Sequence, residues 1–363
     1  MHDTQGLPAD IEIIKQRKKD GIDIPLKKDV QAKMTSTYLE NVRFIHNALP
    51  EINYDDIDLS TTFVNHKFSA PLIIDSMIGG TPSATKLNGR LGELAERYGF
   101  AMGVGSQRAG LKSEQLAETY YVARKNAPNA FLIANIGGAQ LAKGLSVNDT
   151  NKIVKMIHAN ALAIHLNPLQ ELIQPEGEPK FKGVLRKISE LADELDVPVI
   201  VKEVGAGISR EVAIQLELAG VSAINVAGAG GTSWAGVEKL RAEKVRNDLK
   251  VHLGEIFWDW GIPTALSLIH AKKAVKLPLI ASGGLRNGLE VAKCIALGAH
   301  MCAMAYPFLR AAAQSKENLF NFADIIMAEL KSTMFLLGAE NIAALRRSRY
   351  ILTGALAEEV TCT

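Results

Sequence analysis

The residues with the clearest potential for chemistry lie between His165 and Gly177, in the sequence HLNPLQELIQPEG. An apolar run over residues 161–164 precedes them and predicts a short buried strand. Pro168 and Pro175 disfavour regular structure, so the strand opens into a loop with an imidazole, amides and carboxylates. Polar side chains gathered after a strand are typical of α/β active sites, although loops are polar in general and His165 could equally be a core histidine.

The strand before this loop is one of eight short apolar segments, and most of them are followed by a glycine-rich or polar turn and then a helical pattern. Eight strands alternating with helices favour a (β/α)₈ TIM barrel over a doubly wound sheet. We therefore predict an N-terminal arm and extension over residues 1–65 and a barrel over residues 66–363. The predicted strands are residues 71–75, 100–104, 131–134, 161–164, 198–201, 223–226, 278–281 and 300–304.

All strands of such a barrel end at one mouth, so the polar residues after different strands converge in space. Their number exceeds what the stability of a barrel requires. The converging residues are Ser76, Ser106, Arg108, Asn135, His165, Asn167, Gln170, Glu171, Lys202, Thr232 and Arg286.

Two glycine-rich loops follow the sixth and seventh strands, at residues 228–232 (GAGGT) and 282–288 (SGGLRNG). Glycines let backbone N–H groups approach an anion, and the loops after the last strands are the usual phosphate site of these barrels. A single glycine loop is usually only a turn. Two of them at late strands predict phosphate binding, with Arg286 as a further contact.

Two charged residues, Lys202 and Glu171, are candidates for a role in ligand or metal binding. Lys202 continues a buried run, so it points into the mouth or carries a partner, unless it lies at the solvated end of its strand. Glu171 is a single carboxylate, which suffices for Mg²⁺ when substrate phosphates and waters supply the other ligands. Its alternative is an ordinary solvated loop glutamate.

Composition excludes several classes of protein. The formal net charge is +2 with no long basic block, which argues against nucleic-acid binding. No apolar run has the length of a membrane span, and residues 1–10 lack the apolar core of a secretory signal, so we expect a cytoplasmic protein. Three cysteines without CxxC spacing do not predict a disulfide framework. The polar residues 1–30 predict a solvated arm.

The motifs together resemble one family, the type 2 isopentenyl diphosphate isomerases, which are FMN-dependent (β/α)₈ enzymes. The resemblance extends over nearly the whole chain, and its most specific part is the run HLNPxQE…QPEG, whereas the glycine loops also fit other FMN barrels. Further matching segments are residues 17–18 (RK), 46–50 (HNALP), 69–72 (SAPL), 77–80 (MIGG), 102–108 (MGVGSQR), 201–203 (VKE), 260–264 (WGIPT) and 296–299 (ALGA).

The resemblance implies conversion of isopentenyl diphosphate into dimethylallyl diphosphate with reduced FMN, Mg²⁺, and NADPH or another reductant. It implies Gln170 as the catalytic residue beside the reacting carbons, Glu171 as the metal ligand, and a homo-oligomer, either tetramer or octamer. The implied substrate-binding residues are Arg17, Lys18, Ser106, Arg108, His165, Asn167 and Gln170. The implied FMN-binding residues are Ser76, Met77, Ile78, Ser106, Asn135, Lys202, Thr232, Gly284, Arg286, Ala305 and Tyr306.

Two positions depart from the family pattern. Ile78 stands where a threonine is usual, which removes a hydroxyl near FMN, and Gly21 stands where a histidine is usual in the diphosphate clamp. Two alternatives stay open at this point. One is an FMN-dependent oxidoreductase of the 2-hydroxyacid oxidase type, and the other is a non-enzymatic phosphate- or flavin-binding regulator.

Overall fold

Short strands and longer helices alternate along the chain in the computed structural model, which describes residues 9–362. The strands are β1 (Val42–Phe44), β2 (Thr61–Phe63), β3 (His66–Phe68), β4 (Leu72–Ile74), β5 (Ala101–Gly103), β6 (Leu132–Gly137), β7 (Ala161–His165), β8 (Val199–Lys202), β9 (Ala223–Asn225), β10 (Leu279–Ala281), β11 (Met301–Met304) and β12 (Tyr350–Leu352). The helices are α1 (Ala9–Lys27), α2 (Pro82–Tyr98), α3 (Glu114–Asn126), α4 (Gly138–Ala142), α5 (Val147–Met156), α6 (Pro168–Ile173), α7 (Val184–Glu194), α8 (Arg210–Leu218), α9 (Trp234–Lys244), α10 (Asp248–Ile256), α11 (Thr264–Ala274), α12 (Gly288–Ala296), α13 (Tyr306–Gln314), α14 (Lys316–Leu337), α15 (Ile342–Leu345) and α16 (Gly354–Cys362).

Strands β4 to β11 form a closed parallel barrel, as the sequence predicted. Each of the eight predicted apolar segments overlaps one barrel strand, and the pairing of Cys302 with Leu72 closes the ring between β11 and β4. The strands are buried on both faces, which explains their continuous apolar character. A (β/α)₈ TIM barrel is therefore confirmed.

Alternate side chains of the strands build two separate cores. Ile73, Ile133 and Ile280 belong to an interior cluster, whereas their strand neighbours pack outward against the helices. The hairpin of β2 and β3 covers the N-terminal end of the barrel, where Phe68 packs against Phe131 with ring centroids 5.4 Å apart. The opposite end of the barrel stays open. The predicted division of the chain at residue 65 falls within this hairpin and stays a prediction.

The prediction of a solvated N-terminal arm is wrong for the described residues. Helix α1 packs on α9, and Ile22 and Ile24 are only 4% exposed. The helix is polar overall because several of its charged side chains meet partners on distant elements. A local reading of composition cannot detect such partners. Residues 1–8 lie outside the described part of the chain.

The connection between β9 and β10 is long and holds α9, α10 and α11. Gly220 and Gly338 follow α8 and α14 in the left-handed conformation, with φ of 80° and 67°, as expected for helix ends. Strand β1 pairs with β12 in a small antiparallel sheet. Within residues 9–362, no helix combines the length and apolar character that crossing a bilayer requires.

Candidate active site

A cavity that is open to solvent lies at the C-terminal ends of the barrel strands. Barrel strands, their loops and helix α1 all contribute to its wall. Most of the residues that the sequence assigned to substrate, cofactor or metal line it. These are Arg17, Lys18, Ser76, Met77, Ser106, Asn135, His165, Asn167, Gln170, Glu171, Lys202, Thr232, Gly284, Arg286, Ala305 and Tyr306.

Two of the assigned residues do not belong to this lining. Ile78 is 3% exposed and packs in the main core, while its carbonyl accepts a hydrogen bond from the Gly105 N–H at 2.8 Å. The apolar side chain fits a core position better than a polar cavity wall. Arg108 lies in a short 3₁₀ helix beside the cavity. Burial and the nearby Arg17 lower the pKa of Arg108, so it belongs to the same cationic environment without lining the cavity.

Lys202 carries a partner that the sequence did not identify. Its ammonium lies 3.6 Å from the Asp75 carboxylate and donates to the Glu203 carbonyl at 2.9 Å. The Glu203 side chain accepts hydrogen bonds from three successive backbone N–H groups, those of residues 204–206. Burial nevertheless raises the pKa of Glu203 to about 7. Lys202 therefore presents a fixed, partly neutralised charge to the cavity.

His165 faces a cluster of cations. Its Nδ1–H donates to the Asn135 Oδ1 at 2.7 Å, which leaves Nε2 as a lone-pair acceptor in the neutral ring. Burial, followed by the charges of Lys202, Lys18 and Arg17, lowers the pKa of His165 to about 3. The ring is therefore uncharged and poorly suited to act as a general base near neutral pH.

We expect the His165 ring to stay neutral down to about pH 4 in the free protein, roughly one unit above its lowered pKa. The unfolded chain takes up this proton near 6.5, so His165 lowers stability as pH falls from about 6.5 to about 3. Inorganic pyrophosphate should raise the pKa, because its negative charge offsets the surrounding cations. NMR of ¹³C-labelled histidine tests this, with His165→Gln identifying the signal. An ordinary titration near 6.5 without ligand would contradict it.

The Gln170 amide is held by a buried carboxylate on another element. Its Nε2 donates to the Glu238 Oε1 of α9 at 2.9 Å, and its Oε1 accepts from the Asn167 Nδ2 at 3.1 Å. Glu238 is 1% exposed, and burial raises its pKa. These bonds fix which end of the amide faces which neighbour. A titratable group therefore lies next to Gln170, which by itself is not a general base.

Glu171 is buried and shapes the QPEG turn. Its Oε2 accepts the Glu178 N–H at 3.0 Å, and its Oε1 lies 3.4 Å from the Asn167 Nδ2. A Cβ at Gly177 would lie 2.0 Å from the Glu171 carbonyl oxygen, so only glycine fits there. The Asn167 Oδ1 is buried without a hydrogen-bond partner among the described residues. An unpaired oxygen thus lies beside a carboxylate at the cavity wall.

Helix α1 brings two cations to the cavity. The Lys18 ammonium donates to the Ser106 carbonyl at 2.8 Å, and the Tyr120 hydroxyl donates to the same oxygen at 2.7 Å. Burial, together with Arg17 and Arg108, lowers the pKa of Lys18 well below its usual value. An anion entering the cavity would relieve this mutual repulsion.

The two glycine loops pack on each other and on the N-terminal segment. A Cβ at Gly230 would lie 2.2 Å from the Thr37 nitrogen, and one at Gly283 would lie 2.1 Å from the Gly228 carbonyl oxygen. These glycines are therefore required by close backbone packing, whatever ligand the loops bind. The Arg286 guanidinium donates to the Gln31 Oε1 at 2.7 Å.

Sequence reasoning missed three side chains of this region. Asp75 was included in a predicted strand but received no role, although a carboxylate closing an apolar run signals a charged partner. Glu238 lies within a helix whose sequence gives no such signal. Gln31 lies in the arm and extension predicted over residues 1–65, and its side chain contacts both Thr232 and Arg286.

Comparison with known proteins agrees with this geometry. The model of the FMN-dependent dehydrogenase family matches residues 149–352. The isopentenyl-diphosphate delta-isomerase of Nostoc sp. is 49% identical over 333 residues, which cover 92% of this chain and 94% of that protein. The isomerase of Methanosarcina mazei is 46% identical over 344 residues, covering 95% and 93%. That of Archaeoglobus fulgidus is 47% identical, covering 94% and 97%.

Solved structures support the fold alone. A lactate oxidase of Pediococcus acidilactici has a TM-score of 0.66 at 15% identity, covering 95% of this chain and 94% of that one. A mandelate oxidase has a TM-score of 0.62 at 16% identity, covering 95% and 99%. Such low identity does not transfer an activity. The relatives above 40% identity over nearly the whole length do establish kinship, and the chain belongs to the isopentenyl-diphosphate delta-isomerase family, in the FMN-dependent form that its motifs indicated.

Proposed function

We propose that this protein converts isopentenyl diphosphate into dimethylallyl diphosphate with reduced FMN and Mg²⁺. The observation that carries the proposal is one cavity that joins the cations of α1 to Gln170 and to the glycine loops. The names of relatives at 44–49% identity support the same reaction. The assigned site residues are part of this proposal.

The residues present fit an FMN. Thr232, Arg286 and the glycine-loop N–H groups suit its phosphate, while Met77 and Tyr306 suit the ring. Lys202 would lie near the part of the ring that gains negative charge on reduction. Bound reduced flavin supplies an electron-rich ring and exchangeable protons, which ordinary side chains do not offer to an alkene. NADPH or another reductant would keep it reduced.

A divalent cation also fits, with substrate as a co-ligand. Among residues 9–362, no group of three or more His, Cys, Asp or Glu side chains is arranged to hold a metal ion. Glu171 and the unpaired Asn167 Oδ1 nevertheless offer oxygen to a hard cation or its waters. The diphosphate would supply further oxygens, so Mg²⁺ and substrate would bind together.

The protein's own part in the reaction is to bind, orient and exclude water. Arg17 and Lys18 meet the diphosphate with charge-assisted hydrogen bonds. The reaction adds a proton to the terminal carbon of the alkene and removes one from the carbon adjacent to the one bearing the diphosphate, so no net redox change occurs. Glu238 holds Gln170 beside this space by accepting the hydrogen bond from its Nε2.

The 2-hydroxyacid oxidase alternative is supported by the shared fold and by the match to the FMN-dependent dehydrogenase model, but the relatives at 44–49% identity carry the isomerase name. Oxidation of a 2-hydroxy acid requires a histidine base. The pKa of His165 is lowered to about 3, so this residue is a weak base near neutral pH. The two reactions separate in one experiment. Purified protein with reduced FMN and Mg²⁺ should form dimethylallyl diphosphate from isopentenyl diphosphate, measured by NMR, and should not oxidise lactate or mandelate with oxidised FMN. The reverse result would reject the proposal, and FMN binding without either reaction would favour the regulator.

We expect Gly21→His to strengthen substrate binding. A Cβ at Gly21 would lie 3.8 Å from the Trp234 ring, so the position has room. One added hydrogen bond of about 0.5–1.5 kcal/mol lowers KM by roughly 2- to 10-fold. Gly21→Ala is the matched control, because it improves the helix without adding an imidazole. Equal KM values for the two variants would show that position 21 does not reach the diphosphate.

We also propose a homo-oligomer, tetramer or octamer, in the cytoplasm. The β1–β12 sheet and its flanks leave apolar side chains in solvent, with Leu49 72% exposed and Ile351 50% exposed. A contiguous apolar surface exposed to solvent is typical of an interface. Sedimentation velocity measures the assembly directly.

A further inference from the structure

One buried arginine outside the cavity lining joins three carboxylates. The Arg241 guanidinium of α9 donates from Nη1 to Glu238 at 2.6 Å, from Nη2 to Glu176 at 2.7 Å and from Nε to Asp20 at 3.4 Å. Its side chain is 8% exposed. The three carboxylates lie on α9, on the QPEG turn and on α1. Arg241 thus connects the elements that surround the substrate end of the cavity.

The contact with α1 depends on Asp20. This carboxylate is 5% exposed and also accepts from the Lys244 ammonium at 2.7 Å and from the Gln16 amide at 3.1 Å. Two basic residues of α9 therefore converge on a single acidic residue of α1. A buried carboxylate with two cationic partners is costly to undock, because separation leaves charges unpaired.

Asp20 lies within one turn of α1 from Arg17 and Lys18, the residues that would bind the diphosphate. Arg17 is three positions earlier, on the same side of α1, and Lys18 is two positions earlier. A rotation of α1 about its axis would move both cations. Anchoring Asp20 to α9 fixes this rotation while the Lys18 ammonium reaches the Ser106 carbonyl.

The same arginine reaches the reacting end of the cavity. Glu238 accepts from Arg241 with Oε2 and from Gln170 with Oε1. Arg241 therefore links the orientation of the Gln170 amide to the docking of α1. Neither link involves a residue assigned to FMN.

We propose that Asp20, through its pairing with Arg241 and Lys244, is a positioning residue that docks α1 so that Arg17 and Lys18 face the diphosphate. The inference deepens the proposed function and rests on it for the identity of the anion. The contacts that dock α1 on α9 do not involve the substrate.

Hydrogen–deuterium exchange of the FMN holoenzyme without substrate tests the docking. Asp20→Asn should speed amide exchange in α1 by about tenfold or more, since local opening becomes easier, while barrel peptides stay unchanged. Asp23→Asn is the matched control, because Asp23 lies on the same helix, is more exposed than Asp20 and pairs with Lys27 of that helix. Exchange in Asp20→Asn equal to that in the control would overturn the proposal.

Binding of inorganic pyrophosphate with Mg²⁺, measured by calorimetry, tests the link to Arg17 and Lys18. Asp20→Asn should weaken this binding about tenfold, raise KM similarly and change kcat little, with FMN affinity unaltered. Asp20→Glu should restore part of the affinity. Faster exchange with unchanged pyrophosphate affinity would overturn the positioning role. Failure of the native enzyme to isomerise isopentenyl diphosphate would reject the proposed function without touching the exchange result.

Discussion

Glu171→Gln is expected to lower kcat/KM for isopentenyl diphosphate by about 10²–10⁴-fold, the several kcal/mol that a bound metal ion typically contributes. Glutamine keeps an oxygen for the Glu178 N–H, so the QPEG turn should stay folded. It removes the charge that attracts Mg²⁺. FMN should stay bound, because Glu171 lies away from the glycine loops in sequence and strand order.

The measurement is steady-state kinetics over a range of Mg²⁺ concentrations, with FMN titrations alongside. Glu178→Gln is the control, because this exposed carboxylate lies in the same turn and pairs with Lys143. A magnesium requirement in Glu171→Gln equal to that of the native enzyme would remove Glu171 from the metal site.

Replacing both Arg17 and Lys18 by alanine is expected to raise KM by about 10²–10⁴-fold, because each charge-assisted hydrogen bond contributes about 1.5–3 kcal/mol. Point substitutions are a cleaner test than deletion. A truncation at residue 20 would cut α1 and leave Ile22 and Ile24 without the rest of their helix.

FMN affinity should hardly change in this double variant, since α1 contributes none of the assigned cofactor contacts. Lys19→Ala is the matched control, because Lys19 is exposed on the same helix. If the double variant and the control had the same KM, α1 would serve the fold and not the substrate.

The barrel was predictable because its signals are local. Each strand is a short apolar run between turn residues, and runs such as residues 198–201 are apolar because both faces are buried. Because the C-terminal ends of barrel strands meet at one mouth, the sequence also predicts that Asn135, His165 and Lys202 lie close together. The structure has all three at the cavity wall.

The N-terminal helix was not predictable in this way. Composition alone indicated a solvated arm, because the charges of α1 look unsatisfied in sequence. Asp20 meets Arg241, which is 221 positions away. Only a resemblance to a family pointed to Arg17 and Lys18, and no local pattern pointed to their docking.

The sequence also did not predict which side chains pair with one another within the site. Asp75 follows β4 whereas Lys202 ends β8, and Gln170 and Glu238 lie on different helices. Distances of this kind depend on barrel register and helix packing. The glycine loops were found, yet a steric reason for Gly230 and Gly283 lies in neighbouring backbone, which the sequence does not display.

The most direct test of the central claim is the dependence of isomerisation on the redox state of the flavin. The protein is incubated anaerobically with Mg²⁺ and isopentenyl diphosphate, once with oxidised FMN and once with FMN reduced by dithionite, and the product is followed by NMR. Dimethylallyl diphosphate should form only with reduced FMN, and the flavin should still be reduced at the end. Equal turnover with oxidised FMN, or no product with either form, would contradict the account.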